Sequence, residues 1–143
     1  MIGKKIGVAV IGNGCRAKYV VSNLLRDSGG GVGIVSVYDP DPAVSRDALE
    51  FWNAPDAKLC GSCREAVNTP GVDWVMVFSP NVYHKEGTLE GFAAGKHVFS
   101  EKPLATSVED CREIYEAHQK SGLFFATGFV LRYAPIYRRV REI

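Results

Sequence analysis

Short, continuously apolar runs alternate along this chain with longer stretches in which apolar residues recur every three or four positions. Ile6–Ile11, Gly33–Tyr38, Trp74–Phe78, His97–Phe99 and Phe124–Thr127 are apolar over most of their length. Runs without polar alternation belong to strands buried on both faces, as in parallel sheets covered by helices. The stretches between them carry helix ends. Asp41-Pro42 reads as an N-cap followed by proline at the first helical position, opening a helix to about Asn53. Ser107-Val108-Glu109-Asp110 is a relative of the capping box, and Val108, Cys111, Ile114, Tyr115 and His118 then share one face before Gly122 stops the helix. Another helix closes at Gly95 and presents Leu89, Phe92 and Ala93 as its inward stripe. Strand and helix in alternation predict an α/β fold, a doubly wound and mostly parallel sheet with helices on both faces in three αβα layers. The glycine-rich run Ser28 to Gly33 is then a surface connection at the end of the sheet away from any ligand.

Bulk properties narrow the function. A chain of 143 residues builds one core, and 17 basic residues against 16 acidic ones leave a formal net charge of +1. That balance supplies no broad electrostatic footprint for nucleic acid or an anionic membrane, so a small molecule is the expected partner. No apolar run approaches the roughly 18 residues that span a bilayer, and Ile6–Ile11 runs into glycine rather than into a signal-peptide cleavage pattern, which makes a cytoplasmic location the expectation. Cys60 and Cys63 spell C-x-x-C, but no second pair exists and His84, His97 and His118 lack metal-site spacing to it. Reduced structural thiols and no metal site are therefore expected.

The chemistry begins where the first strand ends. Gly12-Asn13-Gly14-Cys15-Arg16-Ala17 matches G-x-G-x-x-[GA] and leads into a helical segment from Lys18 to Arg26. In that context Gly12 permits the tight turn, Gly14 lets backbone approach a diphosphate, and small Ala17 lets helix and strand pack closely. Free amides at the helix start then face the phosphates, aided by the helix dipole. A glycine turn that only joins strand to helix is the plainer alternative. Asp39 weakens it, because an acidic residue about 20 residues past the motif, at the end of the second strand, takes the adenosine ribose hydroxyls. The pattern is that of a Rossmann domain, and a carboxylate there repels a 2′-phosphate, so NAD is expected over NADP, with NADP still possible. Two further polar groups follow strands: Ser79-Pro80-Asn81-Val82-Tyr83-His84 and Ser100-Glu101-Lys102-Pro103. Both sit at carboxyl ends, the ligand edge of an open parallel sheet, although on physics alone Glu101 and Lys102 fit a solvated ion pair in a loop equally well.

Taken in order, the glycine turn, Asp39, Pro80-Asn81 with His84, the run Gly95-Lys96-His97-Val98 leading to Glu101-Lys102-Pro103, and Arg132-Tyr133-Ala134-Pro135 resemble the Gfo/Idh/MocA oxidoreductases over essentially the whole chain. The G-K-H-V-x-x-E-K-P run is the most specific part. The resemblance implies a two-domain enzyme that moves a hydride between nicotinamide and a sugar, polyol or related carbon. It implies Lys102 as the catalytic residue beside the nicotinamide, Glu101 on the nicotinamide-side ribose, and Ser79, Pro80, Asn81, His84 and Arg132 around the cofactor. A cis bond before Pro103 is also implied. Val130 departs from the asparagine often found two residues after the glycine of the sixth strand, which removes one polar contact.

The resemblance further implies that residues 1–130 form the dinucleotide-binding domain and that 131–143 begin a crossover helix toward a C-terminal α+β substrate domain. That last helix would carry Ile136, Val140 and Ile143 on one face and Arg138, Arg139 and Arg141 outward. The second domain would supply the remaining catalytic residues and the contacts of a homo-oligomer, so the chain alone is expected to bind cofactor but turn over poorly. Two other readings use the same glycine turn. One is a non-catalytic NAD(P)-sensing module, which has no use for Lys102; the other is an S-adenosylmethionine site, which needs no diphosphate cradle.

Overall fold

The computed structural model describes residues 5–143. Six strands, β1 (Ile6–Ile11), β2 (Val32–Tyr38), β3 (Lys58–Leu59), β4 (Trp74–Val77), β5 (His97–Ser100) and β6 (Phe125–Thr127), form one sheet in the order β3-β2-β1-β4-β5-β6. Every neighbouring pair is parallel. The chain winds outward from β1 to β3, returns to lay β4 on the other side of β1, and winds outward again. The carboxyl ends of β1 and β4 therefore flank the point where the winding reverses, which is where open α/β sheets leave a crevice for ligands.

Alternation along β1 divides the core. Val8 and Val10 pack with Ala17 and Val21 of α1 (Cys15–Asp27), and with Ala48 and Trp52 at α2 (Pro42–Phe51). Ala9 and Ile11 point the other way. They join Ala66 and Val67 of α3 (Cys63–Val67), Phe92 of α4 (His84–Ala93) and Ile114 of α5 (Val108–Ser121). Both faces of the sheet are thus covered, and the continuous apolar runs follow from that.

The anticipated caps are present. Asp41 accepts a hydrogen bond from the Ala43 amide at 2.8 Å, Ser107 accepts from the Asp110 amide at 3.1 Å, and Gly122 closes α5 with a φ of 64°. Two stripes differ from expectation. On α5 Ile114 is fully buried, but Val108 and Tyr115 are 69% and 62% exposed, because the buried seam is narrower than the apolar residues imply. On α4 the buried face is His84, Gly87, Thr88, Gly91 and Phe92, with Leu89 partly buried and Ala93 exposed. Glycines explain this. A Cβ at Gly91 would lie 2.7 Å from a Val98 methyl and one at Gly87 would lie 3.1 Å from a Val77 methyl, so α4 rides closer to the sheet than a side-chain stripe allows.

Strand β3 and helix α3 are unanticipated; two and five residues are too few for periodicity to register. Cys60 and Cys63 flank the start of α3 as buried free thiols within the core. Burial, reinforced by Glu90 and Glu86, pushes the Cys63 thiol up to about 12. Beyond β6 the chain forms a 3-10 turn (Val130–Tyr133) and helix α6 (Pro135–Arg141). The apolar stripe foreseen there lies open, with Ile136, Val140 and Ile143 at 70%, 63% and 98% exposure and Ile143 beyond the helix end.

Candidate dinucleotide-binding site

The crevice opens where β1 turns into α1. Gly12 has a φ of 80°, and a Cβ on it would collide with the backbone nitrogen of Ser79 and lie 2.6 Å from the Ser79 Cα, so no residue with a side chain fits. Its amide donates to the Tyr38 carbonyl at 2.8 Å. The turn is then fastened by Asp39. One carboxylate oxygen accepts the Asn13 amide at 2.9 Å and the other accepts the Asp41 amide at 3.0 Å, tying the turn after β1 to the turn after β2. Each oxygen keeps a second lone pair for a ribose hydroxyl.

Asn13 contributes backbone, not side chain, to this arrangement. It is fully buried, and its side-chain Nδ2 donates to the Ser45 hydroxyl of α2 at 3.0 Å. Ala17 is likewise fully buried, against the sheet, in the packing role its size implies. Gly14, Cys15 and Arg16 face outward. Nothing lies within 4 Å of the space a Gly14 Cβ would occupy, and α1 has neither a side-chain N-cap nor an acidic residue in its first turn. The first amides of a 13-residue helix are thus left open to an anion.

A cavity of about 650 Å³ runs from Tyr38, Asp39, Pro40 and Val44 past Gly12, Gly14, Cys15 and Arg16 to Ser79 and Pro80. Ile11 and Gly87 also line it. Asn81, at the start of a 3-10 turn (Asn81–Tyr83), is exposed beside it but does not line it.

The loops after β4 and β5 are joined by His84. The ring is 1% exposed, with Nε2 2.8 Å from the Ser79 carbonyl oxygen and Nδ1 2.6 Å from the Pro103 carbonyl oxygen. A group so enclosed does not line the cavity, where the family resemblance would put it; it bridges the loop after β4, which does line it, to the loop after β5, which does not. Ser79, meanwhile, has a buried hydroxyl without a hydrogen-bond partner among the described residues.

Glu101 is 4% exposed and pairs with the Arg16 guanidinium, whose Nε and one terminal nitrogen lie 2.7 and 2.5 Å from the same carboxylate oxygen. The other oxygen accepts the Lys102 amide at 2.9 Å. This is neither a loose surface pair nor the Glu101–Lys102 pair that a solvated loop would favour. Lys102 itself is exposed, and among the described residues its ammonium has no hydrogen-bond or ion-pair partner. The Lys102–Pro103 bond is cis. Neither Glu101 nor Lys102 lines the cavity; Glu101 adjoins it through Arg16, which does. Arg132 is elsewhere, in a shallow depression with Phe129, Leu131 and Tyr137. Sequence reasoning missed the Arg16–Glu101 and His84 links because the partners stand 85 and 19 residues apart, with no local pattern to announce them.

A sheet reversing at β1 and β4, an uncapped helix start and a fastened acidic residue together define a dinucleotide-binding Rossmann domain. Residues 6–129 match the family described as "Oxidoreductase family, NAD-binding Rossmann fold", and the chain belongs to that family, Gfo/Idh/MocA. The chain is 39% identical over 139 residues to an inositol 2-dehydrogenase of Gluconacetobacter diazotrophicus, covering 96% of this chain and 41% of that protein. It is 36% identical over 133 residues to a 1,5-anhydro-D-fructose reductase of Ensifer adhaerens, covering 93% and 39%. Among solved structures, myo-inositol dehydrogenase from Lactobacillus casei in complex with NAD(H) and myo-inositol superposes with a TM-score of 0.89 at 27% identity, covering 96% of this chain and 40% of that one. GenD2 from gentamicin A biosynthesis in complex with NAD gives 0.85 at 29% identity, covering 99% and 39%. The chain thus spans about two-fifths of the length of the relatives it matches.

Proposed function

We propose that this chain is the nucleotide-binding part of an NAD-dependent dehydrogenase acting on a CH–OH group of a polyol or sugar. The observation that carries the reading is the fastened glycine turn: an open helix start with Asp39 held beside it, leading along one cleft toward the loop that bears Lys102. The amides of Gly14, Cys15 and Arg16 would hold the diphosphate, and Asp39 the adenosine ribose, with Ser79 and Pro80 as the wall. Asn81 would flank that wall, and Glu101, with both oxygens engaged, would shape the second ribose's end of the site through the loop it holds. When bound, NAD accepts or returns the hydride.

The protein's own chemistry centres on Lys102. An exposed ammonium without a competing partner is free to exchange a proton with a substrate hydroxyl or to stabilise the developing alkoxide. Polyol and sugar substrates are proposed because the dehydrogenase of known structure carries myo-inositol and a relative is named for a sugar reduction. Residues 131–143 begin a crossover to a substrate domain in this reading, and that domain also supports a homo-oligomer. The exposed apolar residues Ile136, Tyr137 and Val140 suit such a continuation. Among the described residues no helix is long and apolar enough to cross a membrane, and a cytoplasmic setting suits the free thiols.

Calorimetric titration with NAD, NADP and S-adenosylmethionine tests the cofactor. NAD binding at least tenfold more tightly than NADP is expected, and binding of the methyl donor in preference to both would overturn the assignment. Hydride transfer from myo-inositol and related polyols by the intact protein, lost in Lys102→Ala with NAD affinity retained, separates the enzyme from a nucleotide sensor.

A further inference from the structure

Arg16 stands at the second position of α1, so its backbone belongs to the anion-facing turn, yet its side chain crosses the cleft to β5. There the guanidinium places Nε 2.7 Å and a terminal nitrogen 2.5 Å from one oxygen of Glu101, whose side chain is only 5% exposed. The second oxygen accepts the Lys102 amide at 2.9 Å. The backbone beyond β6 closes the remaining side, since a Cβ on Gly128 would lie 2.7 Å from that second oxygen. The carboxylate is therefore enclosed by a cation, a peptide N–H and a glycine that leaves room for it. Removing the cation paired with an enclosed carboxylate leaves an uncompensated buried charge, which loosens whatever that carboxylate holds.

We propose that Arg16 is the positioning residue for Lys102: it holds Glu101, and Glu101 holds the peptide that carries Lys102. The link joins the turn that grips the diphosphate to the group beside the reacting carbon, so both ends of the cofactor are set by one rigid chain of contacts. Its functional consequence rests on the dehydrogenase reading above, but the link itself does not. A guanidinium already committed to Glu101 through two nitrogens is a poor phosphate clamp, and this separates the proposal from the simpler idea that Arg16 is a diphosphate ligand.

Three measurements on the intact protein decide it. The first is amide hydrogen exchange at Ser100, Glu101 and Lys102 without cofactor, which Arg16→Ala should accelerate at least tenfold; unchanged exchange would overturn the link. The second compares ADP-ribose, which lacks nicotinamide, with NAD. Arg16→Ala should leave ADP-ribose affinity within about twofold, as expected when the uncommitted first-turn amides carry the diphosphate. Equal losses of many-fold for both ligands would make Arg16 a phosphate ligand and overturn the proposal.

The third is turnover. A misplaced Lys102 should lower kcat about a hundredfold while the polyol KM moves little, and added guanidinium ion should restore part of kcat in Arg16→Ala but none in wild type. No rescue, with KM carrying the whole effect, would count against positioning. Because Arg16→Ala leaves a buried charge unpaired, the Arg16→Ala/Glu101→Gln double variant removes that charge and keeps the experiment readable; its two effects should be strongly non-additive. Failure of wild type to bind NAD would sink the dehydrogenase reading alone, and the exchange measurement would still decide the link.

Discussion

The two halves of the cleft are held in different ways. At the end proposed for adenosine, backbone amides close onto one carboxylate: Asn13 and Asp41 both donate to Asp39, and the turns concerned follow adjacent strands β1 and β2. At the end proposed for nicotinamide, side chains reach across the sheet: Arg16 to Glu101 and His84 to both Ser79 and Pro103. The first half depends on glycine conformation and one acid; the second depends on buried, charged or dual-contact groups whose loss leaves partners stranded. Variants at the first end should therefore abolish or redirect nucleotide binding, whereas variants at the second should loosen the loops and leave adenosine recognition largely intact.

Gly12→Ala is expected to have the largest effect. The left-handed conformation penalises any Cβ by about 1–2 kcal/mol, and the collision with Ser79 adds overpacking of about 1–3 kcal/mol. Urea denaturation should register a destabilisation of about 3 kcal/mol, and calorimetry should show no measurable NAD binding. A variant that kept wild-type affinity would mean that the diphosphate sits elsewhere.

Asp39→Ala comes next. It removes the acceptor of two backbone amides and, in the proposed complex, of the ribose hydroxyls. Hydrogen bonds to a charged group are worth about 1.5–3 kcal/mol, so NAD should bind roughly 10- to 100-fold more weakly, while NADP, relieved of charge repulsion, should lose less. Calorimetry with both cofactors checks this, and an unchanged NAD to NADP ratio would remove Asp39 from cofactor choice.

His84→Ala probes the other half. Two carbonyls lose their partner and a buried ring leaves a void, so the fold should lose about 2–4 kcal/mol in chemical denaturation. NAD should weaken about tenfold through the loosened loops while ADP-ribose weakens less. Equal weakening of both would erase the distinction between the two halves.

The same contrast explains how much was readable in advance. Strand runs, the caps at Asp41 and Ser107, and the glycine turn with Asp39 are all written in short windows, because each is a local backbone requirement. Helix α4 and the inward Phe92 are legible in the sequence, but the rest of its buried face is not. Closeness to the sheet is carried there by Gly87 and Gly91, which contribute no hydrophobicity to a periodic signal. Glu101 and His84 could be singled out as residues, but their partners could not. An ion pair joining exposed Arg16 of α1 to buried Glu101 at the end of β5 depends on the sheet order β1-β4-β5, which no local spacing encodes.

Arg132 gives the smallest expected effect and the sharpest check on what motif order alone can assign. Its place beside Tyr133 and Pro135 in a family-like segment put it among cofactor-binding candidates, but it lies exposed in a shallow depression between the second 3-10 turn and α6. None of the residues that line the main cleft lines that depression. Exposed substitutions away from special features shift free energies by about 0.5 kcal/mol or less, so Arg132→Ala should change NAD affinity by no more than about twofold. A tenfold loss would place the terminal segment against the bound nucleotide, and the nicotinamide half would then extend past β5 to the chain beyond β6.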